Sequence, residues 1–132
     1  MSNISITESI FNSMKQMLGL EPEYTPFDVD IIVHINTVLG KLAQVGVGPS
    51  EGIQLDLIEP ETTLWTELIG TEDQKLNMVK TYMYLSLRLL FDPPQNSSVL
   101  SAMQVEADEL LWRLNVAVDK FPANHEGEEE ED

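Results

Sequence analysis

Cysteine is absent from the 132 residues, which removes disulfides, thiol nucleophiles and Cys-ligated zinc together. Cations are scarce: 7 Lys and Arg stand against 23 Asp and Glu, giving a formal net charge of −16 and a pI near 4.2. So little positive charge argues against a protein that grips nucleic acid by its phosphates or docks on anionic lipid heads. No apolar run approaches the ~20 residues needed to span a bilayer. Residues 1–19 have neither the basic start nor the apolar stretch of a signal peptide. The expectation is a soluble, intracellular chain in a compartment free to be reducing.

What is present is 42% apolar residues in 14.9 kDa, enough for one core and hardly for two domains. The chain divides into a helical domain over 1–120 and an acidic tail over 121–132. Glu126–Asp132 holds six acids in seven residues, and removing them still leaves −10 on the remainder. The tail alone does not account for the acidity. A run of like charges without apolar residues predicts a disordered, solvated segment, starting near Phe121-Pro122, where proline stops a helix.

Strong breakers separate four main helices. Ser5 with Glu8 has the spacing of a capping box. Ile10, Phe11, Met14, Met17 and Leu18 then fall on one helical face, closed by Gly19 and Pro22. Thr25-Pro26-Phe27-Asp28 reads as an N-cap, a proline at the first position and an acid in the first turn. Phe27, Ile31, Ile35, Val38, Leu39, Leu42 and Val45 keep the period up to Gly46-Val47-Gly48-Pro49. Gly40 inside that helix costs ~1 kcal/mol relative to Ala, and close packing on a neighbouring helix would explain it. Residues 50–70 read as an ordered excursion. Gly52 to Leu57 alternates like a short strand, and Thr63 caps a brief turn whose Trp65 and Leu68 cover one end of the bundle. Leu76, Val79, Met83, Leu87 and Leu90 run along the next helix, apolar almost all round and therefore buried on several sides or against partner subunits. Asp92-Pro93-Pro94 ends it. Ser97 or Ser98 caps the last helix, with Leu100, Met103, Ala107, Leu110, Leu111, Leu114 and Val118 in period. The fold class is all-α: a compact bundle of four main helices plus a short helical turn.

Chemistry is thin. His34 shares a helix face with Asp30, but one His and one Asp fall short of a metal site. Asp28 and Asp30 point to different sides of their helix, and Asp28 suits the helix N-terminus. Gly46–Gly52 lacks the Lys-Ser/Thr of a phosphate-binding loop and follows a helix rather than a strand. The six methionines sit at core spacing and serve as filler or as a re-packable contact surface. Arg88 has Asp92 four residues on, and Arg113 has Glu109 four residues back. Each is a local ion pair or a subunit contact, and Trp112 beside Arg113 suits a core or an interface alike. No catalytic residue, cofactor or metal is implied.

Two runs are distinctive: Val79-Lys80-Thr81-Tyr82-Met83-Tyr84-Leu85 through Arg88-Leu89-Leu90-Phe91-Asp92-Pro93-Pro94, and Glu109-Leu110-Leu111-Trp112-Arg113-Leu114-Asn115-Val116 behind it. With Phe27-Asp28-Val29-Asp30-Ile31-Ile32 and Gln44-Val45-Gly46-Val47-Gly48-Pro49, the chain resembles the head–tail connector (adaptor) proteins of tailed bacteriophages over about residues 5–118. The resemblance implies a helical bundle that assembles with itself as a ring, usually a dodecamer, on the outer end of the portal protein in the virion neck after synthesis in the host cytoplasm. Such a ring extends the DNA channel, lets DNA pass without specific binding, and offers a platform to stopper or tail-completion proteins. The final helix and following segment, about Val99 to Pro122, would reach the portal. Candidate subunit or portal contacts are Arg88, Asp92, Trp112, Arg113, Asn115 and Phe121. An acidic lumen fits a channel, because it repels phosphates. Two rival readings are an acidic regulatory or DNA-mimic module occupying a basic partner's nucleic-acid site, and a small enzyme using Asp28, Asp30 and His34.

Overall fold

The computed structural model describes residues 8–70 and 73–119. Five α-helices follow in chain order: α1 (Ile10–Met17), α2 (Asp28–Gln44), α3 (Trp65–Ile69), α4 (Asp73–Phe91) and α5 (Ser97–Asp119), with a 3-10 turn at Pro60–Thr62 before α3. The four long helices and one short turn are those the periodicity predicts. Ser5, Phe121 and the acidic tail lie outside the described residues.

α4 is the central element. α2 packs along one side of it and α5 along the other, while α1 and α3 meet it as well. This is how a helix apolar on most of its circumference is satisfied within one chain. Its Val79, Tyr82, Met83 and Leu87 are buried, together with Ile31, Ile35, Val38 and Leu42 of α2 and Ala107, Leu110 and Leu114 of α5. Ile10 and Met14 of α1 join the same core.

The helix ends depart from expectation, each for a tertiary reason. Ser9, in extended backbone, caps α1: its Oγ accepts the Asn12 N–H at 3.2 Å. Glu8 precedes the helix rather than standing in its first turn, because the chain at 8–10 pairs with residues 63–65. The Ile10 N–H donates to the Thr63 carbonyl (3.1 Å) and the Trp65 N–H to the Glu8 carbonyl (3.0 Å). The bridge joins Ser9 to Leu64, so Thr63 serves it with its carbonyl and does not cap α3; Leu64 takes the cap position, and the carboxylate of Glu67 accepts its N–H. Thr25 and Pro26 form a turn before α2, with the Asp28 N–H on the Thr25 carbonyl, and Phe27 takes the cap position. Phe27 is held there by edge-on contact with Phe91, ring centroids 5.2 Å apart. At the other ends expectation holds. Gly19 and Gly46 take positive φ after α1 and α2. The next N–H, of Leu20 and of Val47, reaches back to Lys15 and Leu42, the paired bonding of a Schellman motif. Gly40 is a correction: nothing lies within 4 Å of where its Cβ would be, so close helix packing does not explain it.

Residues 53–56 form no strand and no helix, so the short strand suggested by the alternation is absent among the described residues. Asn36 of α2 stands in for the missing strand. Its Oδ1 accepts the Leu55 N–H at 2.7 Å and its Nδ2 donates to the Leu55 carbonyl. Trp65 is 3% exposed and donates its indole N–H to Ser13 Oγ at 3.0 Å, so it does cover an end of the bundle. Lys80 lies over its ring.

Candidate interaction surface on the last two helices

α4 and α5 form a helical hairpin, and its turn shows how the sequence closes each helix. The Asp92 N–H bonds the Arg88 carbonyl, and Arg88 Nε donates to the Asp92 carbonyl at 3.0 Å, with Nη1 near the Tyr84 hydroxyl. Arg88 thus satisfies the carbonyl end of α4, where a cation is favoured, rather than pairing with the Asp92 carboxylate. α5 is capped by Asn96, not by Ser97 or Ser98: its Oδ1 accepts the N–H groups of Ser98 (2.8 Å) and Val99 (3.1 Å). Asparagine is as good a cap as serine, and here it stands one residue nearer the prolines.

Along α5 the remaining candidates separate. Asn115 turns inward, and its Nδ2 donates to the Val45 carbonyl at 3.3 Å, tying α5 to the end of α2. Arg113 pairs with Glu109 at 2.9 Å, both sides exposed. Trp112 is 66% exposed, and the choice between core and surface is settled: it is not a core residue. Val105, seven residues earlier and on the same face of the helix, is equally bare. An exposed indole beside an arginine is the composition of an interface anchor.

Chemistry elsewhere remains sparse. Asp28 is engaged by the ammonium of Lys15 at 2.9 Å, Asp30 is exposed and His34 half-buried, so the three residues of the enzymatic reading do not converge. Between α2, α4 and α5 lies a cleft of about 330 Å3 lined in part by Lys41, Tyr82, Ser86 and Asp108. Burial pushes the Tyr82 phenol above its ordinary value. A hydrogen bond with Ser86 works against that, and the Asp108 carboxylate adds to the rise. At neutral pH Tyr82 is therefore a neutral hydroxyl, unsuited to act as a base. Among the described residues no three His, Cys, Asp or Glu side chains gather to hold a metal ion, and no helix is long and apolar enough to cross a membrane.

Two features carried no reading in the sequence. Lys15 is 1% exposed and fully bonded, donating to the carbonyls of Pro22 (3.0 Å) and Tyr24 (2.7 Å) as well as meeting Asp28. Its place beside Met14 on the apolar face of α1 was the available signal. Leu57 and Ile58 are left in solvent, and their position between Asp56 and Glu59 was the corresponding sign.

No curated protein and no solved structure matches the chain. The model of one family, described as phage connector protein, matches residues 10–120, which takes in every helix from α1 to α5. The chain belongs to the phage connector protein family, and its role is that of a structural head–tail connector.

Proposed function

We propose that the chain assembles with copies of itself into a closed ring on the portal in the virion neck, and that the outward face of α5 around Trp112 makes one of the contacts. The ring extends the channel for DNA and presents a platform to the stopper or tail-completion protein. Family membership supplies the head–tail setting, in which portal and tail proteins are neighbours and no catalysis is required. The observation that carries the contact is Trp112, two-thirds exposed on α5. Subunits in a ring meet through two different faces, and a bare aromatic anchor on one helix supplies one of them.

The other candidate residues support that face in distinct ways. Arg113 stands next to the indole with its guanidinium on the surface. Asn115 fixes the rotation of α5 against α2. Arg88 shapes the turn that sets where α5 begins. Asp92 is exposed at that turn, and Phe121 would extend the contact beyond α5. The acidity suits a conduit, since phosphates are repelled rather than held.

Trp112→Ala tests this. The unfolding midpoint should stay where it is, while assembly on the portal and the yield of complete particles fall sharply. Normal particle yield from the variant would remove α5 from the contact. A tagged copy absent from the head–tail junction of purified particles would remove the neck assignment itself.

A further inference from the structure

Away from α5, the barest apolar side chains among the described residues gather at one groove. Ile58 is 87% exposed, Val29 64% and Leu57 62%. All three line a groove of about 420 Å3 whose walls also include Phe11, Ile32 and Pro60. Val33, one turn along α2 from Val29, is exposed too. The loop carrying Leu57 and Ile58 is braced: Asn36 holds Leu55 on one side, and Asp56 Oδ2 accepts the Glu59 N–H at 3.2 Å across the tip. A folded chain that fixes a loop so as to hold apolar side chains in water is presenting them to something.

The exposed charge around the groove is acidic. Val29 stands between Asp28 and Asp30, Leu57-Ile58 between Asp56 and Glu59, and Glu61 is part of the wall. The nearby cation, Lys15, directs its ammonium into two carbonyls and Asp28. Between residues 16 and 74 the only other Lys or Arg is Lys41. A second copy's α5 face fits poorly here: Arg113 offsets Glu109, but the exposed Glu106 and Asp108 beside Val105 would set acid against acid.

We propose that this groove docks a segment of another protein that carries apolar anchors flanked by Lys or Arg. The apolar side chains supply the anchor pocket, and the acids around it steer and select a basic partner. The proposal goes beyond the connector role and does not rest on it, since binding is read on the isolated chain and the connector role on particles.

The probe is an amphipathic helical peptide with Leu on one face and Lys on the rest, titrated into the full chain and followed by amide NMR shifts. Perturbations should concentrate at 28–33 and 56–61. Ile58→Asp should weaken binding about tenfold, whereas Val105→Asp on α5 should leave it unchanged. Because Ile58 is almost wholly in solvent, its variant should keep the parent thermal midpoint. The pair Glu59→Lys and Glu61→Lys should weaken the Lys peptide and favour one with Glu in place of Lys. Equal binding of a Leu-free Lys peptide, with shifts spread over all acidic surfaces, would overturn the proposal. So would equal loss from Val105→Asp, or self-association of the chain abolished by Ile58→Asp, which would make a second copy the occupant.

Discussion

The two halves of the molecule are stabilised differently. In α4 and α5 long apolar stripes face one another and backbone groups bond within the helices, so side chains are needed as backbone partners chiefly at the hairpin turn and where Asn115 meets the Val45 carbonyl. The part from α1 to α3 carries two irregular stretches, 18–27 and 45–64, whose backbone groups have no ladder to enter. There Lys15, Asn36 and the pairing of 8–10 with 63–65 supply the partners that buried backbone demands. Charge divides the same way: residues 1–72 hold eleven acids and two lysines, while residues 73–125 hold six acids and five cations. Irregular backbone in a small domain is ordered by individual side chains, and each is correspondingly sensitive to substitution.

Lys15→Ala should expose that sensitivity most strongly. It strands the Asp28 carboxylate and two carbonyls, and a loss of ~3 kcal/mol or more is expected, read from urea midpoints. A smaller loss than for Leu87→Ala in α4, itself ~2–5 kcal/mol, would undo the contrast between the halves. Trp65→Ala should cost ~3–5 kcal/mol, and Trp112→Ala less than ~0.5 kcal/mol, as for other surface sites. Comparing the two melts decides which indole is structural. Asn36→Ala should cost ~1–3 kcal/mol, because the Leu55 amide and carbonyl lose their partner. Faster hydrogen exchange confined to 53–59 would identify the cause. The pH effect is smaller and lies in the other half. Tyr82 has a raised folded-state pKa, so its contribution is fully present below the unfolded value of about 10 and is lost as pH rises towards the folded one. Stability should therefore fall in strongly alkaline solution, and Tyr82→Phe should flatten part of that fall.

The helices were legible because apolar period and core face coincide: the stripes Ile31–Leu42 and Val79–Leu87 are buried as spaced. The caps were not, since Ser9, Leu64 and Asn96 are chosen by cross-chain bonds and prolines that local spacing does not encode. The inward use of Asn115 and the turn of Arg88 towards a carbonyl follow from the same blindness to tertiary partners. Trp112 was ambiguous by residue type. Its place two residues beyond the buried Leu110, about 200° round the helix, already set it off the core stripe.

The unequal burial of the two tryptophans also gives the chain an internal optical gauge. A small soluble quencher reaches the indole on α5 and is denied the one packed over Ser13. The free chain should lose only part of its fluorescence to such a quencher. Each neighbour that settles on α5 should return some of that light without any label attached.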